Sequence, residues 1–203
     1  EVLMQEYKDV FGPESTYTFS PDDAIVCRNN APIVTLAFTL IRKGVACRIE
    51  GRDIGTQLAA LAGKWKVKSL DVLRTRLEKY KEREVSKAMA QGKEQKADSI
   101  NDRVECLFVL IERAEEKRLD VDGLIEMIKG MFSDSTDKNV DPNLLTLSSI
   151  HKFKGLERKR IFWLGRQQYQ PSPFARQAWQ MEQEINLMYV AATRAQETLI
   201  EVE

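Results

Sequence analysis

The chain is poor in the residues that usually announce chemistry. Its 203 residues hold one histidine, His151, and three cysteines, Cys27, Cys47 and Cys106. There is no CxxC pair and no Cys/His cluster, so no structural zinc site is expected. Cys27 and Cys47 sit in strand-like runs and read as small buried thiols of a reducing, cytoplasmic protein. No apolar run approaches the ~20 residues needed to span a bilayer. The first residues, "EVLMQEYKDV", are mixed and acidic, which is not the pattern of a signal peptide. They also lack an initiator Met, so the sequence is expected to be part of a longer protein. Net charge is missing as well: 31 Lys+Arg offset 31 Asp+Glu. No Ser/His/Asp arrangement points to nucleophilic catalysis, and there is no internal repeat or low-complexity tract.

What is present is an apolar content of 43%, enough for one good-sized core or a core with a small satellite. Residues 24–28, "AIVCR", read as a short buried strand after the turn-like "SPDD". "NNAPIVTLAFTLIRKG" reads as a helix with Asn30 at its N-cap, Pro32 in the first turn, an apolar stripe of Ile33, Leu36, Ala37, Leu40 and Ile41, and Gly44 at its end. "VACRIE", residues 45–50, is the next strand, which makes a β-α-β unit with parallel strands. "IGTQLAALAGKW" is a short helix. From Ser69 the chain turns charged and helical, with stripes of Leu70, Leu73, Leu77 and Tyr80, then of Ile100, Val104, Leu107 and Ile111, the latter with Ser99 and Asp102 at capping-box spacing. Leu124, Ile125 and Ile128 give a third, opened by Asp120. "SDSTDKNVDPN", residues 133–143, is the loop back. Strand character returns in "LLTLSSI" (144–150) and "RIFWLG" (160–165). Residues 182–196, "EQEINLMYVAATRAQ", read as a helix with Ile185, Met188, Tyr189 and Ala192 on one face and Thr193 and Arg194 well inside it. "TLIEVE" closes as a strand.

The expectation is therefore an α/β domain with a parallel sheet flanked by helices and an all-helical insertion: residues 1–65, then 66–140 as the insertion, then 141–203. The neutral total conceals an asymmetry. Residues 64–96 carry 11 Lys/Arg and 5 Asp/Glu, whereas residues 97–141 carry 6 and 12. A basic stretch can follow a phosphate backbone or can be a solvated helix face.

Candidate chemistry collects at strand ends, where ligands gather in open α/β sheets. Arg28 ends the first strand. "SIHKFKGLE", residues 149–157, follows another and gathers His151, Lys152, Lys154, Gly155 and Glu157 in one turn. Arg194 follows the small-residue run "YVAAT". Arginines on different elements suit an oxyanion, because the guanidinium charge is permanent and its fork binds bidentately. Taken singly, each of these residues reads more readily as an ordinary surface, turn or ion-paired side chain.

In combination they resemble the second motor domain of UvrD/Rep-like superfamily-one DNA helicases. "IVCRNNA" (25–31) looks like that family's fourth motif, "SIHKFKGLE" like its fifth, T-x-H-x-x-K-G-L-E, and "EINLMYVAATRA" (184–195) like its sixth, ending L-Y-V-A-x-T-R-A. The resemblance implies a RecA-like, P-loop-NTPase-type parallel sheet and an ATP-dependent DNA helicase, with family analogy favouring 3′-to-5′ movement. It implies that Arg28 and Arg194 reach the γ-phosphate of ATP as arginine fingers. Glu157 would bind the ribose, with Gly155 allowing close backbone approach. Ser149 and His151 would touch single-stranded DNA, and Lys154 would hold the turn or a DNA phosphate. Tyr189 would pack the sixth-motif helix or lie near nucleotide or DNA. Gln183 and Glu184 fall near an acidic pair of the family, Glu184 matching better.

The sequence departs from the pattern at Cys27, where many relatives place an adenine-stacking aromatic, and at Ile185 and Asn186, where a basic pair is usual. There is also no GxxxxGK[ST] loop and no acidic strand end for Mg2+; "GRDIGTQ" is not a phosphate loop. The resemblance thus implies that phosphate loop and Mg2+ belong to an N-terminal motor domain of the same polypeptide, and that this chain alone has little ATPase activity. Two other readings fit the same residues: a non-catalytic helicase-like module binding DNA or protein, and the helicase part of a helicase–nuclease.

Overall fold

The computed structural model describes residues 1–133 and 143–203; apart from its two end residues, the return loop expected at 133–143 lies outside them. In chain order the elements are β1 (Val2–Gln5), α1 (Tyr7–Phe11), β2 (Asp23–Cys27), α2 (Asn30–Arg42), β3 (Cys47–Glu50), α3 (Arg52–Gly63), α4 (Leu70–Ala90), α5 (Glu94–Glu116), α6 (Val121–Met131), the two-residue β4 (Phe132–Ser133), β5 (Leu145–Ser149), β6 (Arg158–Leu164), α7 (Arg166–Tyr169), α8 (Ala178–Ala192) and β7 (Ala195–Val202). They form two compact units, one of Glu1–Glu50 with Ser135–Glu203, the other of Gly51–Asp134.

The first unit is the α/β body. Its strands run β1-β7-β6-β2-β5-β3, and every described pairing among them is parallel. Central strands buried on both faces must be apolar throughout rather than alternating, which is why "DAIVC" and "LTLSS" are buried at all five positions. β2 and β3 both pair with β5, so the β2-α2-β3 crossover steps over one strand. Gly44, at φ +77, closes α2, a backbone angle that glycine takes without strain.

The two faces of the sheet are packed differently. Ala24, Val26, Ile161, Trp163 and Leu199 form one cluster with Ile150, Phe153 and Ala191, and Leu187, Met188 and Val190 of α8 pack against it. On β6, Phe162 lies between Ile161 and Trp163 and so points to the other face. There Tyr17 and Phe19 meet its ring, Phe19 at 5.2 Å between centroids, and Phe11 lies 6.4 Å from it. The sequence did not mark β1, α1 or α7. β1 is an edge strand with Val2 and Met4 exposed, so no buried apolar run announces it.

The second unit is helical. Leu58, Leu73, Leu77, Ile100, Val104, Leu107, Leu110, Leu124 and Ile128 are buried in it. α3 belongs to this unit: an added Cβ at Gly55 would stand 2.6 Å from Phe132 Cβ, so only glycine lets the helix come this close. Ser69 Oγ accepts from Val72 N–H, and Asp120 Oδ1 accepts from Gly123 N–H at 2.9 Å, capping α4 and α6. The capping box expected at Ser99 and Asp102 does not form. α5 begins at Glu94, because nothing between Glu94 and Ser99 breaks a helix, and Ser99 lies within it. The basic and acidic stretches partly neutralise each other through Arg74–Glu115, Lys81–Glu105 and Lys68–Asp122. Among the described residues, no helix is long and apolar enough to cross a membrane.

Candidate nucleotide and nucleic-acid site

The turn after β5 explains its own composition. Ile150 N–H donates to Cys27 O at 2.9 Å, which ties the start of the turn to the end of β2. Lys152 and Phe153 N–H then both donate to Ser149 O at 3.0 Å. Phe153 is fully buried in the cluster under α8, while His151, Lys152 and Lys154 around it are exposed. One aromatic anchor therefore holds a row of cationic and imidazole side chains in solvent. Ser149 is 3% exposed, so its side chain is part of the strand and not of the turn's outer surface. Gly155 takes φ +89, and a Cβ there would meet nothing within 4 Å: the position needs glycine for its angle and leaves open space beside the backbone.

The turn ends at Glu157, beside Arg194. Arg194 Nη1 lies 3.8 Å from Glu157 Oε1 and 3.5 Å from Leu156 O, Arg194 Nε donates to Val190 O at 3.1 Å, and Arg194 O accepts from Arg158 N–H. Glu157 is half exposed and Arg194 only 20% exposed, so the carboxylate faces water while the guanidinium is held against backbone carbonyls. The fifth- and sixth-motif residues thus meet in space, as a carboxylate and a guanidinium with an open-sided glycine between them and the exposed His151.

Arg194 does not lie inside a helix, contrary to the sequence expectation. α8 stops at Ala192: Thr193 is its C-cap and turns its hydroxyl back onto Tyr189 O and Val190 O, and β7 starts at Ala195. The apolar stripe expected on this helix is also redistributed. Ile185 is 59% and Tyr189 70% exposed, whereas the buried positions are Gln180, Glu184 and Ala191. Tyr189 therefore does not pack the helix onto the body.

Arg28 has a different environment. Its Nε lies 3.1 Å from both carboxylate oxygens of Glu184, and its Nη2 donates to Glu184 Oε1 at 2.8 Å. The two side chains are 13% and 8% exposed. Removing one partner of such a pair leaves a buried charge and costs about 3–5 kcal/mol. Arg28 and Arg194 are not brought together. Arg28 follows the C-terminal end of β2 and Arg194 precedes the N-terminal end of β7, and in a parallel sheet those are opposite ends of the strands. Five residues of β2 alone rise roughly 16 Å. The groups that hold the two guanidinium groups, Glu184 and Val190 O, are six positions apart on α8, about 9 Å of helix rise. The arrangement described does not bring the two arginines together, as the expected convergence on one phosphate would need.

Sequence reasoning missed Phe153 as the anchor of the turn and Glu184 as the partner of Arg28. Phe153 was signalled by a single aromatic between two lysines. Glu184 was marked only by its match to an acidic position of the sixth motif, and nothing in the sequence named Arg28 as its partner. Among the described residues, no group of three or more His, Cys, Asp or Glu side chains is placed to hold a metal.

A parallel six-stranded sheet flanked by helices and interrupted in sequence by a helical unit is the architecture of a RecA-like α/β domain. The sequence profile of the UvrD-like helicase C-terminal domain matches residues 56–201, well over half of the chain, and the chain belongs to that family. The matched span contains the turn at 149–157 and Arg194 but begins after Arg28. Comparison with curated proteins returned no match.

Proposed function

We propose that the chain is the second motor domain of an ATP-dependent DNA helicase moving 3′ to 5′, completed by an N-terminal motor domain of the same polypeptide. The observation carrying this reading is the meeting of Glu157 and Arg194, residues of two motifs 37 positions apart in sequence, next to the open glycine backbone of Gly155. A half-exposed carboxylate suits a ribose hydroxyl pair, and a permanently charged guanidinium suits the γ-phosphate of ATP. The residues present fit a nucleotide held mainly from another domain: Arg194, Glu157 and Gly155 would contact it here, with Mg2+ supplied from the other side of the cleft. Arg28 is not assigned to the phosphate in this reading, because Glu184 occupies its fork. His151 and Lys154 would contact single-stranded DNA, and the buried Ser149 would position them through its carbonyl, which holds the turn, without touching DNA itself. The exposed Tyr189 and Ile185 would face the N-terminal domain across the cleft.

The test is ATP hydrolysis by the full-length polypeptide, with and without single-stranded DNA. Arg194→Ala is expected to lower kcat by about 10³-fold or more, as loss of an arginine finger does, with a much smaller effect on KM. A loss below tenfold would refute the assignment. The 203-residue chain alone is expected to show no steady hydrolysis; turnover by it that disappears in Arg194→Ala would overturn the two-domain reading.

A further inference from the structure

We infer that Glu184 is a positioning residue: through Arg28 it fixes the His151 turn relative to α8, so that the turn is clamped at both ends to one helix. This rests on the reading of His151 as a DNA contact for its functional consequence, but not for its geometry. Glu184 lies on the buried side of α8 and gathers three contacts from Arg28, at 2.8, 3.1 and 3.1 Å, together with Ser172 N–H at 3.2 Å. Arg28 directly follows Cys27, whose carbonyl takes the Ile150 N–H that opens the turn. At the far end, Arg194, two residues beyond α8, reaches Leu156 O and Glu157. Between them Phe153 packs into the cluster that contains Ala191 of α8.

One helix and the two residues after it therefore control where the turn begins and where it ends. Glu184 and Ala192, the last residue of α8, are eight positions apart, about 12 Å at helical rise, and Arg194 follows two residues later. The 150–157 segment must run between these two points, past Phe153 and Gly155. A rigid link of this kind lets displacement at the Arg194 end move the His151 end as one body, since packed elements shift together rather than deform. Ser172 N–H on the same carboxylate brings in the segment after α7. One turn earlier on α8, Gln180 Oε1 accepts from Arg176 and Gln177 N–H at 2.8 and 2.9 Å. A carboxylate buried to this degree and satisfied by a guanidinium fork and a backbone amide is placed to set geometry. It has no exposed face with which to meet a ligand.

The experiment is amide hydrogen exchange on the 203-residue chain, with anisotropy of a labelled single-stranded oligonucleotide as the second readout. In Glu184→Gln, exchange in residues 149–157 and 170–177 is expected to accelerate by tenfold or more while β6 and β7 stay protected, and oligonucleotide affinity is expected to fall about tenfold. In the His151→Ala background the same substitution is expected to add no further loss of affinity, because the two act through one contact. The charge-swapped pair Arg28→Glu with Glu184→Arg is expected to recover protection of the turn. Unchanged exchange at 149–157 in a folded Glu184→Gln overturns the inference, as does a uniform rise across the whole body. Local loss of protection with unaltered oligonucleotide affinity supports the clamp and refutes the DNA-contact reading of His151 instead. If Glu184→Gln does not fold, Glu184→Asp and Arg28→Lys, which keep both charges but not the bidentate fit, give the same comparison.

Discussion

Phe153→Ala provides the sharpest check on how the "SIHKFKGLE" turn is held. The ring has no solvent exposure and sits among Ile150, Ile161, Trp163 and Ala191. A phenylalanine side chain buries on the order of 150 Å². At ~25 cal/mol per Å² of apolar surface, its removal forfeits about 3 kcal/mol after allowing for the methyl that alanine retains. A residual cavity in a close-packed cluster raises the loss to about 3–5 kcal/mol, a large fraction of the ~5–15 kcal/mol that a domain usually has. Urea unfolding followed by tryptophan fluorescence measures it, with Trp163 reporting from the same cluster. Lys152→Ala and Lys154→Ala, on either side of it, replace exposed side chains and are expected to stay within ~0.5 kcal/mol. A loss below ~1 kcal/mol for Phe153→Ala, or equal losses in the lysine variants, would refute the idea that one buried ring anchors an otherwise solvent-facing turn.

Gly155→Ala should lower stability by about 1–2 kcal/mol, from its positive φ alone, because the added methyl meets nothing within 4 Å. A larger loss on denaturant titration would mean a steric neighbour. Burial pushes the Cys47 thiol up to about 11, so at pH 8 its thiolate fraction is about 10⁻³ and its alkylation by iodoacetamide roughly a hundredfold slower than for an unperturbed thiol. The rate should climb about tenfold per pH unit towards pH 10, while the fully buried Cys27 and Cys106 stay unmodified in the folded chain. Labelling of Cys47 as fast as in urea would contradict its burial.

Much of the fold was legible because local rules and tertiary environment agree. "AIVC" and "IFWL" are continuous apolar runs, and such runs have a stable place only in a sheet covered on both faces. α2 declares itself through its buried stripe and terminal glycine, and α6 through the Asp120 cap. The failures share one cause. Ser99 satisfies a capping pattern that a helix already five residues long had no use for. Ile185 and Tyr189 have apolar side chains at helical spacing, yet periodicity says only that they share a face. It does not say which face meets the sheet. The strand β1 carries no buried run because an edge strand parallel to β7 buries little of itself.

The chemistry divides in the same way. The sequence alone determined the parallel α/β class and the motifs of the family, since residue identity at fixed spacing is a local property. It also determined that His151, Gly155 and Glu157 occupy one turn. Only the tertiary structure decided which charges meet. It set Arg194 against Glu157, gave Arg28 to Glu184 across 156 residues of chain, and placed the two arginines at opposite strand ends of one sheet. Strand order and helix direction fix those distances, and neither is written into any local stretch of sequence.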